Sequence, residues 1–290
     1  MRRLAALHCD PMWAICNKEL VSVVVVGPWL LVAWLGGRIA LPSWRVLVAL
    51  VLVGLTTQLG GNLGVQWALG VVGLAVTIPA VFGVMLTASA AMGMFFLRER
   101  LSRRSLAAIG LLLVALMFLG LSAGAAGKSI SLSSSPPLIA AAVGAACLTG
   151  ATYALLTITI RRTVTGATPV TVVVVMITAM GVLSLGPLSI YRLGTQRLLS
   201  TPPEHLFWML AAGALNLIAF LAITKGLELT TVVHVNILNA SQVAMAAIAG
   251  IMLFGEPPSA WLILGITLTI LGIGLFDLGG DGLQPVDQHA

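Results

Sequence analysis

Apolar runs, parted by short polar breaks, recur along the whole chain. They extend from about Pro11 to Trp34, Val46 to Leu69, Val71 to Phe96, Leu106 to Leu121, Leu138 to Ile160, Pro169 to Ile190, Leu206 to Leu227, Thr231 to Phe254 and Ala260 to Leu278. About 20 apolar residues carry one helix across a bilayer, so the pattern predicts about nine spanning helices and an all-α polytopic membrane protein. Asp10-Pro11 reads as a helix start, a capping side chain followed by proline at the first helical position. Pro28 predicts a kink in that first helix. The segment Met1 to Cys9 is too short to span and lacks the small-residue cleavage pattern of a signal peptide. A polar connector, residues 125–137, separates residues 1–124 from residues 138–279, and residues 280–290 form a polar tail.

Two breaks resemble each other. Leu97-Arg98-Glu99-Arg100-Leu101-Ser102 joins the third and fourth runs, and Phe254-Gly255-Glu256-Pro257-Pro258-Ser259 joins the eighth and ninth. Glu99 and Glu256 are 157 residues apart, and Ser102 and Ser259 keep that offset, so the chain reads as two copies of one unit.

Composition fixes the solvent. Hydrophobic residues make up 59% and charged residues 8%, against roughly 25% charged in soluble domains. The mean hydropathy is +1.08. A soluble core could not absorb so much apolar surface. The net charge of +6 lies in short loops between apolar runs, where it sets membrane orientation, so nucleic acid is not an expected partner. Placing the Arg98–Arg104 hairpin in the cytoplasm puts Arg38, Arg45, Arg98, Arg100, Arg103, Arg104, Arg161 and Arg162 inside; among the loops between spans, only Lys128, Arg192 and Arg197 lie outside. The C-terminal tail then falls in the cytoplasm. Arg2 and Arg3 fall on the outer side, an exception that one further helix ahead of the first visible span would remove. Each half would then hold five helices, and an odd number inverts the second copy. Inverted repeats are a common transporter plan, with the substrate site near the midplane where the repeats meet.

The order of these features resembles the EamA family of the drug/metabolite transporter superfamily. The second hairpin carries the family's Gly-Glu at Gly255-Glu256, with Ser259, Gly265 and Gly272 in the expected places. The first keeps Glu99-Arg100-Leu101-Ser102 but has Arg98 for the motif glycine, and Ala108 and Ala115 for the later glycines. Leu86 and Val243 stand where the family's fourth helices usually carry proline. Trp67-Ala68-Leu69 and Lys225-Gly226-Leu227 look like the family's third-helix ending, and Tyr153-Ala154-Leu155 with Arg161-Arg162 like its sixth helix. Asp10-Pro11 with Lys18 looks like the start of its second helix. The resemblance implies ten helices in two inverted five-helix repeats, with the first helix missing. It also implies transport of small metabolites, amino acids or drugs across the inner membrane, with export as the expected direction.

Polar groups inside apolar runs are costly and tend to face a bundle interior or cavity. Gln58, Asn62 and Gln66 follow at i, i+4 and i+8, which places three amides on one helical face. Asn216 matches Gln58 in the second copy. Asn236, Asn239 and Gln242 share a broad face of the eighth run. These seven residues are the expected substrate lining; interhelical hydrogen bonding is the structural alternative. Glu19 and His234 are candidates for coupling to an ion gradient. Neighbours in sequence do not face each other on a helix, so Lys18 and Glu19 are not expected to pair, and a snorkelling, interface-facing arrangement is the simpler one. The charged hairpin at Glu99 reads most simply as a solvated topological anchor.

Catalytic signatures are absent. There is no phosphate-binding glycine loop with lysine, no paired histidines at zinc spacing and no Gly-x-Ser-x-Gly elbow. Cys9, Cys16 and Cys147 have no metal-type spacing. No metal or cofactor is therefore expected. The expected partners are a small-molecule solute and the lipid bilayer, with proton or ion coupling and a homodimer left open. The alternatives to a transporter are a membrane-embedded enzyme and a non-transporting receptor or scaffold.

Overall fold

The computed structural model describes residues 7, 9–99, 101–125, 135–166, 168–254 and 258–277. Arg2, Arg3, Arg100, Lys128, most of the connector, Gly255-Glu256-Pro257 and the tail lie outside these residues. The described chain has no strand. Its helices are α1 (Pro11–Leu35), α2 (Trp44–Thr56), a π-helix (Thr57–Asn62), α3 (Leu63–Leu97), α4 (Arg103–Ala125), α5 (Pro136–Thr165), α6 (Val170–Leu193), α7 (Thr195–Leu199), α8 (Pro203–Leu229), α9 (Val232–Phe254) and α10 (Ala260–Asp277).

Among the described residues, seven helical runs are long and apolar enough to cross a membrane. One of them, Trp44–Leu97, is 54 residues long and holds both the second and third predicted spans. The break between those spans falls at Gly73 rather than Gly70. There φ is 71° and ψ is 178°, a conformation open in practice only to glycine. The shorter apolar stretch Ala260–Leu275 supplies the last predicted span. The five-residue helix α7, inside the predicted loop after Ile190, was not expected.

The chain folds as two compact units, Met1–Leu63 with Thr159–Glu228, and Gly64–Ile158 with Leu229–Ala290. Each unit takes helices from both halves of the sequence. In the first unit, α6 packs against α1 and α2. Asp10 starts α1 by accepting hydrogen bonds from the backbone N–H groups of Met12 (3.0 Å) and Trp13 (3.1 Å). Buried Arg161 closes the other end of α8: its Nη1 donates to the carbonyls of Leu227 (2.5 Å) and Glu228 (3.0 Å). A cation there satisfies orphan carbonyls and complements the negative end of the helix dipole.

In the second unit, Leu86, Ala90, Ile109, Leu112, Leu116, Val233 and Ile237 form one core among α3, α4 and α9. The antiparallel pair α4 and α10 approach through small residues. A Cβ on Gly265 would stand 2.6 Å from Leu119 Cγ and 3.1 Å from the Ala115 carbonyl oxygen. One on Gly272 would stand 3.1 Å from Leu112 Cγ and 3.5 Å from the Ala108 carbonyl oxygen. Small residues let helices meet closely where no hydrophobic force separates protein from lipid.

The first hairpin is more than a charged break. Helix α3 ends with Arg98 in the left-handed region at φ 56°. The Glu99 N–H then donates to the Gly93 carbonyl (3.1 Å), and Glu99 Oε1 accepts from the Val232 N–H (3.1 Å) at the start of α9. The solvated anchor expected for Glu99 is corrected: its carboxylate caps a helix of the same unit, where the dipole is positive. Both motif serines are N-caps at the same spacing. Ser102 Oγ accepts from Ser105 N–H (3.1 Å) and Ser259 Oγ from Leu262 N–H (3.2 Å).

Candidate functional site

The first unit holds a polar cluster inside apolar helices. Glu19, on α1, is 4% exposed and Gln58 is 2% exposed. Lys18 Nζ lies 3.0 Å from Glu19 Oε1. The expectations that these two would not pair, and that they would face the interface, are both corrected. Their Cα atoms point to different sides of α1, but the long lysine stem carries its ammonium round to the carboxylate. Unpaired, a buried carboxylate in this setting would be strongly disfavoured.

Gln58 and Asn62 lie on the π-helix, where Asn62 Nδ2 donates to Gln58 Oε1 at 2.6 Å. The wide turn changes the geometry assumed for an i, i+4 pair, but the two amides still meet. π-turns inside α-helices frequently mark functional sites. Gly181, on α6, makes room for this meeting. A Cβ there would stand 2.8 Å from Glu19 Cγ and 2.9 Å from Gln58 Nε2. The Glu19 side chain of α1, at its Cγ, and the Gln58 amide of the π-helix therefore converge on one glycine. Gly213, on α8, touches α1 in the same way, its Cβ position 2.9 Å from the Lys18 carbonyl oxygen. Asn216 is half-buried one turn further along that face of α8.

The remaining candidates belong to the second unit. Gln66 is half-buried on α3. Asn236 is fully buried on α9 and donates to Thr157 Oγ1 (3.2 Å), which ties α9 to α5. Asn239 Oδ1 accepts from exposed Gln242 Nε2 at 3.0 Å, so these two form one amide face. His234 sits in the first turn of α9, its backbone N–H donating to Thr231 Oγ1 (3.3 Å).

Sequence reasoning finds Gln58, Asn62 and Glu19 but misses Gly181. One glycine among 31 carries no signal until its neighbours are known. It also misses Arg161 as a cap, because a basic residue at a span end reads as an orientation signal. Among the described residues, no group of three or more His, Cys, Asp or Glu side chains could hold a metal ion.

The EamA-like transporter family matches residues 140–276. No curated protein matches the sequence. A protein of known crystal structure, 19% identical, superposes over 93% of this chain and 89% of its own with a TM-score of 0.72, and shares the fold. Residues 140–276 are thus similar to the EamA-like transporter family, and the seven helical runs of spanning length among the described residues make the chain a multi-pass membrane protein.

Proposed function

We propose that the chain is a secondary transporter that exports a small polar solute across the inner membrane by alternating access. Small metabolites, amino acids and drugs are the candidate solutes. The observation that carries this reading is the convergence of Glu19 and Gln58 on Gly181, with Asn62 hydrogen-bonded to Gln58, inside apolar helices. Buried ionisable groups in spanning helices are expensive and mark substrate or ion pathways. In the first unit the solute-handling groups are Glu19, Gln58, Asn62 and Asn216. In the second they are Gln66, Asn239 and Gln242, with Asn236 holding the helix that carries the last two. Glu19 is the coupling carboxylate, exchanging Lys18 for an ion or a solute group. With no nucleotide-binding signature in the sequence, the driving force is an ion gradient or the solute's own.

The inverted-repeat plan has support within the second unit. Ala108 and Gly265 are 157 residues apart, as are Ala115 and Gly272. Ala115 meets Gly265 and Ala108 meets Gly272, so equivalent positions exchange across the α4–α10 contact, as in a two-fold pair. The distribution of arginines favours a cytoplasmic C-terminus.

The test is flux of a panel of radiolabelled amino acids and small amines in proteoliposomes, with and without a pH gradient. At least one solute should move. Glu19→Gln and Asn62→Leu should each lower its flux about tenfold, the loss of one good polar contact, while the protein still inserts normally. Wild-type flux in both variants would remove these residues from the pathway. Chemical conversion of a lipid or solute, without flux, would favour a membrane enzyme.

A further inference from the structure

A separate cavity of about 520 Å³ opens at one end of the first unit, where α1 and α8 begin and α6 ends. Its size suits a small-molecule ligand. Among the charged and polar groups that line it, most are already committed. Asp10 accepts two backbone N–H groups at the α1 start and faces Arg192 at 3.8 Å. The Thr201 hydroxyl donates to the Leu198 carbonyl (2.6 Å) and accepts from Trp13 Nε1 (3.1 Å). The Ser200 hydroxyl donates to the Arg197 carbonyl (3.1 Å). Two lining side chains, the Arg197 guanidinium and the His205 imidazole, have no hydrogen bond or ion pair among the described residues. Half-buried Trp13 and Leu193 supply apolar wall between these groups, with Leu198 and Met209 buried behind it.

We propose that this cavity binds a small organic anion with an apolar body. Its carboxylate or phosphate head is held by Arg197 and His205, and its body lies on Trp13 and Leu193. Arginine offers a fork of donors matched to such heads. A cation of the same shape would meet Arg197 and gain little from Asp10, whose oxygens face the α1 start and Arg192. The free acid and an anionic lipid head present the same chemistry. None of these residues belongs to the Glu19 cluster, so the site stands or falls apart from the transport reading.

Cys9 lines the cavity and reports on its occupancy. Burial pushes its thiol above the ordinary range, so alkylation is followed at alkaline pH. In full-length protein with Cys16→Ala and Cys147→Ala, octanoate should slow N-ethylmaleimide modification saturably, and octylamine should not. Arg197→Gln should raise the half-protecting octanoate concentration about tenfold, and Arg197→Lys should raise it less. A Ser200→Cys reporter in the Cys9→Ala chain gives a second readout at an exposed wall position. Slower alkylation in phosphatidylglycerol than in phosphatidylcholine nanodiscs, with no further effect of octanoate, would identify the lipid as occupant. Equal rates in the two, with octanoate still protective, would identify the free acid. Equal protection by octylamine, no protection at either reporter, or indifference to Arg197→Gln would overturn the proposal.

Discussion

Arg98 holds a conformation in which its own Cβ is a liability. At φ 56° the Cβ crowds the following carbonyl, a penalty of about 1 kcal/mol or more. The EamA pattern has glycine here, and the position explains why: the chain must turn left-handed for Glu99 to fold back over Gly93 and reach α9. Arg98→Gly is expected to stabilise the protein by about 1 kcal/mol, read as a higher Tm in detergent. An unchanged Tm would mean that the guanidinium makes local contacts of equal worth. Gly181 presents the opposite case, since no side chain fits. Gly181→Ala forces Glu19 and Gln58 to move and should destabilise by about 1–3 kcal/mol while reducing flux. Adding Gln58→Asn shortens the crowding side chain and should restore part of the flux. No recovery, in a variant that inserts normally, would place the defect in helix packing rather than in the polar cluster.

Among the helices, the hairpin at Glu99 acts as a clasp. Its carboxylate caps α9 while its neighbours start α4, so two helix starts share one short stretch of chain. Glu99→Ala should lower stability by about 1 kcal/mol, measured by thermal unfolding. Glu99→Gln keeps an acceptor oxygen and should lose less. Equal losses would mean that charge on the helix dipole, not the hydrogen bond, carries the effect. What the sequence reveals at this scale follows distance along the chain. The cap Asp10 is legible because it acts within three residues of itself, whereas Ser102 and Ser259 show in the sequence only as a repeated spacing. The span boundaries are legible from apolar runs, to within a few residues at Gly73. The π-turn is not, because apolar residues continue on both sides of it and its partner Gly181 lies 123 residues on. The role of Glu99 is hidden for the same reason, its acceptor contact being 133 residues away. The missing glycines at Ala108 and Ala115 prove harmless, since each contact with α10 pairs one alanine with one glycine.

For the molecule as a whole, the arginine distribution makes a topological prediction. Single cysteines at Ser102 and at Ser200 should be labelled by an impermeant thiol reagent from opposite faces of the membrane, Ser200 from outside intact cells and Ser102 only in inverted vesicles. Labelling of both from one face would reverse or break the proposed orientation. The division into two units also sets a timetable during synthesis. The first unit contains nothing beyond Glu228, whereas the second lacks the partner of α4 until α10 has been made. Chains tend to fold as they emerge, earlier parts first, so the first unit can close while the small-residue face of α4 still waits in lipid. Cysteines at Gly54 and Met180 should therefore crosslink in ribosome-bound chains arrested with α8 fully emerged. A pair at Leu119 and Gly265 should crosslink only once the last helix has left the ribosome, which makes α10 the closing piece of biogenesis.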